Sequence, residues 1–337
     1  MKKILSVVLA ALMLLSVASF TSCGETKVEE LKLGMGVSAS FGDVTNADGE
    51  TNGKGEVIAT VAAVLVDSEG KIVKCEIDTT DNTVEYTSAG VAVAGEFATK
   101  YELGDNYYMA AYGTDINGDG KVLEWYAQAD AFETACVGKT IEEVKALVGE
   151  SGYYGTEELA TAGCTIGVID FVLAVEKAVA NATVTTTADA LSVAIVTAQT
   201  TKGASADANG ENELEINFAA AAKKDGKVSA MATDVLAVTF AFDATGASVT
   251  DTAAALNTKG ELGDNYYMAA YGADLNGDGK VLEWYAQADA FEAACVGLDA
   301  DGIAALVVNG YGVESLQSAG CTIGVSDLVA VAVKAAK

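Results

Sequence analysis

Two β-prone runs flank a polar turn early in the chain: VIATVAAVLV (57–66), DSEG (67–70) and KIVKCEI (71–77). β-Branched runs on either side of a turn cluster predict a hairpin. Downstream, in EWYAQADAFETACVG (124–138), the period changes. Trp125, Ala129, Phe132 and Cys136 fall at helical spacing, and Gly138 is placed to stop the helix. DFVLAVEKAVA (170–180) predicts a second, more apolar helix. Strands followed by segregated helices predict an α+β fold, a small antiparallel sheet packed with helices.

The pattern occurs twice. Residues 102–138 return at 261–297, differing at Thr114/Ala273, Ile116/Leu275 and Thr134/Ala293. AGCTIGV at 162–168 returns at 319–325, each time just before an apolar run. A period this long predicts two tandem copies of one domain rather than stacked small units, over 34–182 and 187–337.

The N-terminus, MKKILSVVLAALMLLSVASFTSC, has lysines, then an apolar run, then small residues up to Cys23. That is the shape of a signal peptide over 1–22. Cys23 at the boundary resembles a bacterial lipobox, which makes it the lipidated residue and 23–33 a charged tether. A plain signal peptide or an N-terminal membrane anchor are the alternatives. No second stretch is long and apolar enough to span a bilayer. The expected location is extracytoplasmic, at a bacterial membrane, with the lipid anchor as the membrane contact.

Composition narrows the chemistry. The 337 residues include 48 acids and 20 bases, a net charge of −28, with every base a lysine and neither histidine nor proline present. A histidine-based triad, an imidazole base and His-ligated zinc or haem are all excluded. So acidic a chain is a poor partner for nucleic acid, whose binding rests on neutralising phosphates.

The cysteines recur in pairs. Cys136 and Cys164 in the first repeat match Cys295 and Cys321 in the second, while Cys75 is matched by Met231. An exported chain with recurrent pairs predicts the disulfides Cys136–Cys164 and Cys295–Cys321 and leaves Cys75 unpaired. Buried free thiols are the alternative.

DINGDGKVLEW (115–125) and DLNGDGKVLEW (274–284) place oxygen ligands at alternate positions. Asp115, Asn117 and Asp119, and likewise Asp274, Asn276 and Asp278, resemble the start of a calcium loop, with Gly120 and Gly279 at the sharp turn. The twelfth position is Tyr126 or Tyr285, and Glu124 and Glu283 come two residues early. A structural calcium ion and a plain turn leading into a helix both fit.

The Gly-Cys-Thr corner precedes an apolar helix whose first turn holds Asp170 or Asp327, with Gly167 or Gly324 as the expected N-cap. Free backbone N–H groups there suit an anion. The order VGKT-x-EEV, spacer, AGCTIG and apolar helix resembles the FMN-binding domain of the sodium-pumping NADH:quinone reductase, the Rnf electron-transport complex and bacterial flavin lipoproteins. The resemblance implies a phosphoester link from FMN to Thr165 and Thr322, with Gly163 and Gly320 as the motif glycines. Tyr107, Tyr108, Trp125, Tyr266, Tyr267 and Trp284 are then candidates to stack on the ring, or core aromatics. The chain departs from the family motif: its alanine is Cys164 or Cys321 here, and its Ser/Thr is Ala162 or Ala319. The resemblance implies an extracytoplasmic flavin electron carrier that meets redox partner proteins. The alternative is a cofactor-free surface binding or structural lipoprotein with disulfide- and calcium-stabilised repeats.

Overall fold

A computed structural model describes residues 30–112, 122–271 and 281–337. Strands β1 (Leu31–Thr45), β2 (Gly53–Val66) and β3 (Ile72–Tyr86) form an antiparallel meander. Short β4 (Ala92–Val93) extends it beside β3, and β5 (Val184–Thr186) extends it beside β1. A second antiparallel sheet holds β6 (Ala190–Lys202), β7 (Gly210–Lys224) and β8 (Lys227–Phe242), with β7 in the middle. β9 (Val307–Val308) and β10 (Tyr311–Gly312) pair separately.

The helices of the first half are α1 (Lys100–Leu103), α2 (Met109–Tyr112), α3 (Trp125–Cys136), α4 (Ile141–Lys145), α5 (Glu157–Thr161) and α6 (Ile169–Ala180). Those of the second half are α7 (Lys259–Leu262), α8 (Met268–Tyr271), α9 (Trp284–Cys295), α10 (Ala300–Ala304), α11 (Glu314–Ser318) and α12 (Ser326–Ala336). The α+β expectation agrees with this arrangement of antiparallel sheets packed against helices.

The period of two in β2 explains the layering. Val57, Ala59, Val61, Ala63 and Leu65 join a core shared with the second sheet. Ala62, Val64 and Val66 join a separate core under α3 and α6. β2 is covered on both faces, so its last eight residues, 59–66, are all buried. β7 repeats the logic: Leu214, Ile216, Phe218, Ala220 and Ala222 face the first sheet, and Ala219 and Ala221 face α9 and α12. The layers run helices, sheet, sheet, helices. Each large side chain in the central core, such as Phe218 or Phe240, contributes ~1.5–3 kcal/mol by leaving water.

The two halves therefore share one central core. Tyr86 of β3 and Phe242 of β8 also stack between the halves, with centroids 4.5 Å apart and planes 5° from parallel. Gly53 and Gly210 make room, since a Cβ on either would lie 2.3 Å from the Tyr86 or Phe242 ring. The Gln199 amide stitches the sheets at one end, donating to Val93 O at 3.0 Å and accepting from Gly95 N at 2.7 Å.

Several sequence expectations shift. β1 begins inside the stretch expected as a tether, and Leu31 and Leu33 are core residues. The stretch left between the two expected repeats, 183–186, contains β5, which pairs with β1. Val168 and Val325, not the glycines before them, are the N-caps of α6 and α12. No helix among the described residues is long and apolar enough to cross a membrane. The signal peptide and Cys23 lie outside the described residues.

Candidate functional site

The site is built where the outer face of the first sheet meets the ends of α3 and α6. A cavity of about 840 Å³ opens there, within the ~300–1,000 Å³ common for small-molecule sites. Ile58 and Thr60 of β2 and Thr79 of β3 form its floor. Tyr107, Met109, Trp125 and Phe171 are apolar walls, and Tyr153 and Tyr154 stand at the rim, about half exposed. Cys164, Thr165, Ile166 and Gly167 bring the repeated corner to the same wall.

Thr165 is held by a residue the sequence reading missed. Its N–H and its hydroxyl both donate to Gln128 Oε1, at 2.8 and 3.0 Å. The Gln128 amide nitrogen donates to Leu123 O at 2.9 Å, so the buried side chain is satisfied at both ends. A hydroxyl whose proton is engaged in this way keeps its oxygen lone pairs available. Thr322 and Gln287 reproduce the contacts at 2.8 and 3.0 Å. A polar residue on the buried face of a helix, beside Trp125 and Ala129, was the one sequence signal for Gln128.

Lys100 is the cation of the cavity wall. Its ammonium lies 3.1 Å from Asp81, 5.0 Å from the Tyr107 ring centroid and 5.8 Å from that of Trp125. Burial works against its charge, but Asp81 and Tyr107 outweigh burial and hold its pKa above the ordinary lysine value. Tyr107 OH also donates to Asp81 Oδ2 at 3.0 Å. Asp81 Oδ1 is buried and has no hydrogen-bond partner among the described residues. Asp170, in the first turn of α6, accepts from Ser38 Oγ at 3.2 Å and lines the cavity too.

Other expected site residues stand elsewhere. Gly163 and Gly320 lie off the walls of these cavities, with φ of 111° and 109°, where they turn the chain out of α5 and α11. Thr322 borders a different cleft of about 740 Å³, walled by Val308, Asn309, Tyr311 and Gln317 among others. Tyr108 and Tyr267 are well exposed outside these cavities, and Trp284 is a core residue. Glu124 accepts from Met109 N at 3.0 Å and Ala110 N at 3.3 Å, so its carboxylate caps α2. Glu283 caps α8 through Met268 N and Ala269 N, at 2.9 and 3.2 Å. Asp115, Asn117, Asp119, Asp274, Asn276 and Asp278 lie outside the described residues. Among the described residues no group of three or more acidic or cysteine side chains converges to hold a metal ion.

The five described cysteines are buried thiols, with no disulfide among them. Cys136 and Cys164 share one core, and Cys295 and Cys321 share the other. Cys75, expected to stand alone, lies beside the Cys136 thiol, and that neighbour together with burial raises its pKa well above the ordinary thiol value. Burial pushes Cys164 and Cys295 up to about 12 and Cys321 to about 11.

An aromatic-walled cavity with one lysine, two nearby carboxylates and an oriented threonine suits a planar ligand with a polar end. No family model, no curated protein and no solved structure matches the chain.

Proposed function

We propose that the chain is an exported, lipid-tethered electron carrier that holds a flavin-type cofactor in the first-half cavity beside Thr165. One observation supports this above the others: the threonine singled out by the sequence motif borders the same 840 Å³ cavity as Tyr107, Trp125, Phe171 and Lys100. The flavin supplies the redox chemistry when bound, and the protein supplies position and electrostatics. Trp125 and Phe171, edge-to-face with centroids 5.7 Å apart, offer flat apolar surface. Lys100 faces the ligand with a positive charge that stays fixed because Asp81 holds it. Gln128 holds Thr165 in one rotamer by its two hydrogen bonds. The sheet floor and the tyrosine rim exclude water from one side of the ligand.

A cofactor-free surface module is the second reading. It is favoured by the charge balance of the cavity, where Asp170 and the nearby Asp81 offset Lys100 and leave no net positive charge for a phosphate.

Intact mass of the mature protein from its native envelope, with in-gel flavin fluorescence, separates the two. Added FMN mass that is lost in Thr165→Ala supports the carrier. A mass explained by lipid and cysteine oxidation alone removes the covalent flavin and leaves the surface module.

A further inference from the structure

The two halves look alike in sequence around Trp125 and Trp284, but the strands beneath them differ. In the first sheet Ile58 stands opposite Asp81, and in the second Glu215 stands opposite Ala237. These pairs occupy the same place in the two meanders, because Ile77 and Thr233 bind the matched acids Glu133 and Glu292 through their backbone N–H groups. The carboxylate that answers the helix lysine has therefore changed strands. Lys100 takes Asp81 from β3 at 3.1 Å, and Lys259 takes Glu215 from β7 at 2.7 Å.

The change alters the floor. Where the first cavity has the apolar Ile58, the second half has a carboxylate paired with a lysine that is only 8% exposed. Asp327 lies close enough to Glu215 and Lys259 to feel both charges. The rim differs as well. Tyr154 and Tyr311 make the same bridge, to Gly167 and Gly324, which aligns Tyr153 with Gly310. The Tyr153 ring covers Gly167 so closely that a Cβ there would lie 2.3 Å from it, whereas the nearest atom to a Cβ on Gly324 is Gly310 O at 3.7 Å. Lys259, Tyr266 and Trp284 take no part in the cleft that Thr322 borders.

We infer that the repeats have diverged into one ligand site and one closed counterpart: a planar aromatic ligand occupies the Thr165 half, and the Glu215–Lys259 ion pair excludes it from the Thr322 half. A flat apolar ring laid on Ile58 loses nothing, but the same ring over Glu215 desolvates an ion pair without replacing its water. The inference rests on the flavin reading for the identity of the ligand.

The test counts FMN already attached to the full mature chain purified from its native envelope. Flavin per chain is measured by visible absorbance after denaturation and located by peptide mapping and by Thr165→Ala and Thr322→Ala. The expected result is one flavin per chain, lost in Thr165→Ala and retained in Thr322→Ala. Ile58→Glu with Asp81→Ala transplants the second-half arrangement into the first, and is expected to reduce occupancy at least tenfold with the thermal unfolding transition still cooperative. Two flavins per chain, or one that depends on Thr322, overturns the inference and leaves the flavin reading standing. No flavin on any form overturns both. The wild-type count decides even if the transplanted variant fails to fold.

Discussion

Lys334, in the last helix of the chain, closes an ion pair with Glu102 of the first half at 2.7 Å and donates to Ile195 O of its own half at 2.8 Å. Lys177 mirrors it, pairing with Glu261 of the second half at 2.5 Å and donating to Val37 O at 2.7 Å. Each lysine thus ties a strand of its own sheet, β1 or β6, to the opposite half. Both glutamates also close capping boxes, on Thr99 and Thr258. The pairs are partly exposed, so each contributes at the surface-pair level of up to ~1 kcal/mol, with a comparable amount from the carbonyl bond. Lys334→Met is expected to lower unfolding stability by about 1–2 kcal/mol in urea titration. Adding Lys177→Met roughly doubles the loss if the two ties are independent. High salt narrows the difference from wild type.

Glu133 and Glu292 predict how stability follows pH. Each lies partly buried under the helical layer and accepts a strand N–H, from Ile77 at 2.7 Å and from Thr233 at 2.6 Å. Burial first, then neighbouring acids (Glu76, Asp130 and Asp78 around Glu133; Asp289 and Asp234 around Glu292), raise both to about 8. The folded chain keeps these protons at pH values where the unfolded chain has released them. Stability is full below the usual glutamate value and falls as pH rises toward about 8, by up to ~1.4 kcal/mol per pH unit for each group. Asp78, pushed by burial to about 6, adds to the fall at its lower end. The thermal midpoint is expected to drop between pH 5 and 8.5, and Glu292→Gln to flatten that drop. A midpoint that rises over this range would contradict the assignment.

Gly36 and Gly34 set how closely α6 approaches β1. A Cβ on Gly36 would lie 2.4 Å from Ala174 O, and one on Gly34 2.0 Å from Ala178 O. Both obstacles are helix backbone and cannot rotate away. Gly36→Val is expected to cost at least the ~1–3 kcal/mol typical of overpacking, read as a lower denaturant midpoint.

Buried thiols with raised pKa values react slowly. At pH 8 a thiol of pKa 11 or above is ionised in roughly one molecule per thousand or fewer. Reduced protein is expected to take up iodoacetamide at Cys75, Cys164, Cys295 and Cys321 only after denaturation. Material from an oxidising compartment tests the expected bridges: if Cys136–Cys164 and Cys295–Cys321 have formed, denaturation without reductant exposes Cys75 alone among the five described cysteines. Peptide mapping that finds Cys75 joined to Cys136 would replace the first of those pairs.

Gln128→Leu removes the acceptor shared by the N–H and hydroxyl of Thr165. The expected cost is about 1–3 kcal/mol of stability, the penalty of leaving partly buried donors unmatched. Gln287→Leu acts alike at Thr322. On the proposed function the two differ in flavin content, with Gln128→Leu losing it and Gln287→Leu keeping it.

Local pattern made much of this protein legible. Helical spacing located α3 and α6, the 57–77 pattern located the β2–β3 hairpin, and the repeated AGCTIGV placed Thr165 at a corner before an apolar helix. These features depend on residues close along the chain, where period and turn chemistry act directly. β1 and β6 were harder to read, because small residues such as Gly34, Gly36 and Ala194 dilute the β signal while serving close packing. Tertiary structure alone decided what covers each face. Period two states that Val57, Ala59 and Val61 share a side, but not that the second sheet lies against it. The same holds for the pairing of Lys100 with Asp81 and of Lys259 with Glu215. Near-identical helical segments promised equivalent sites, and the strand register, which brings together residues more than 20 positions apart, made them different.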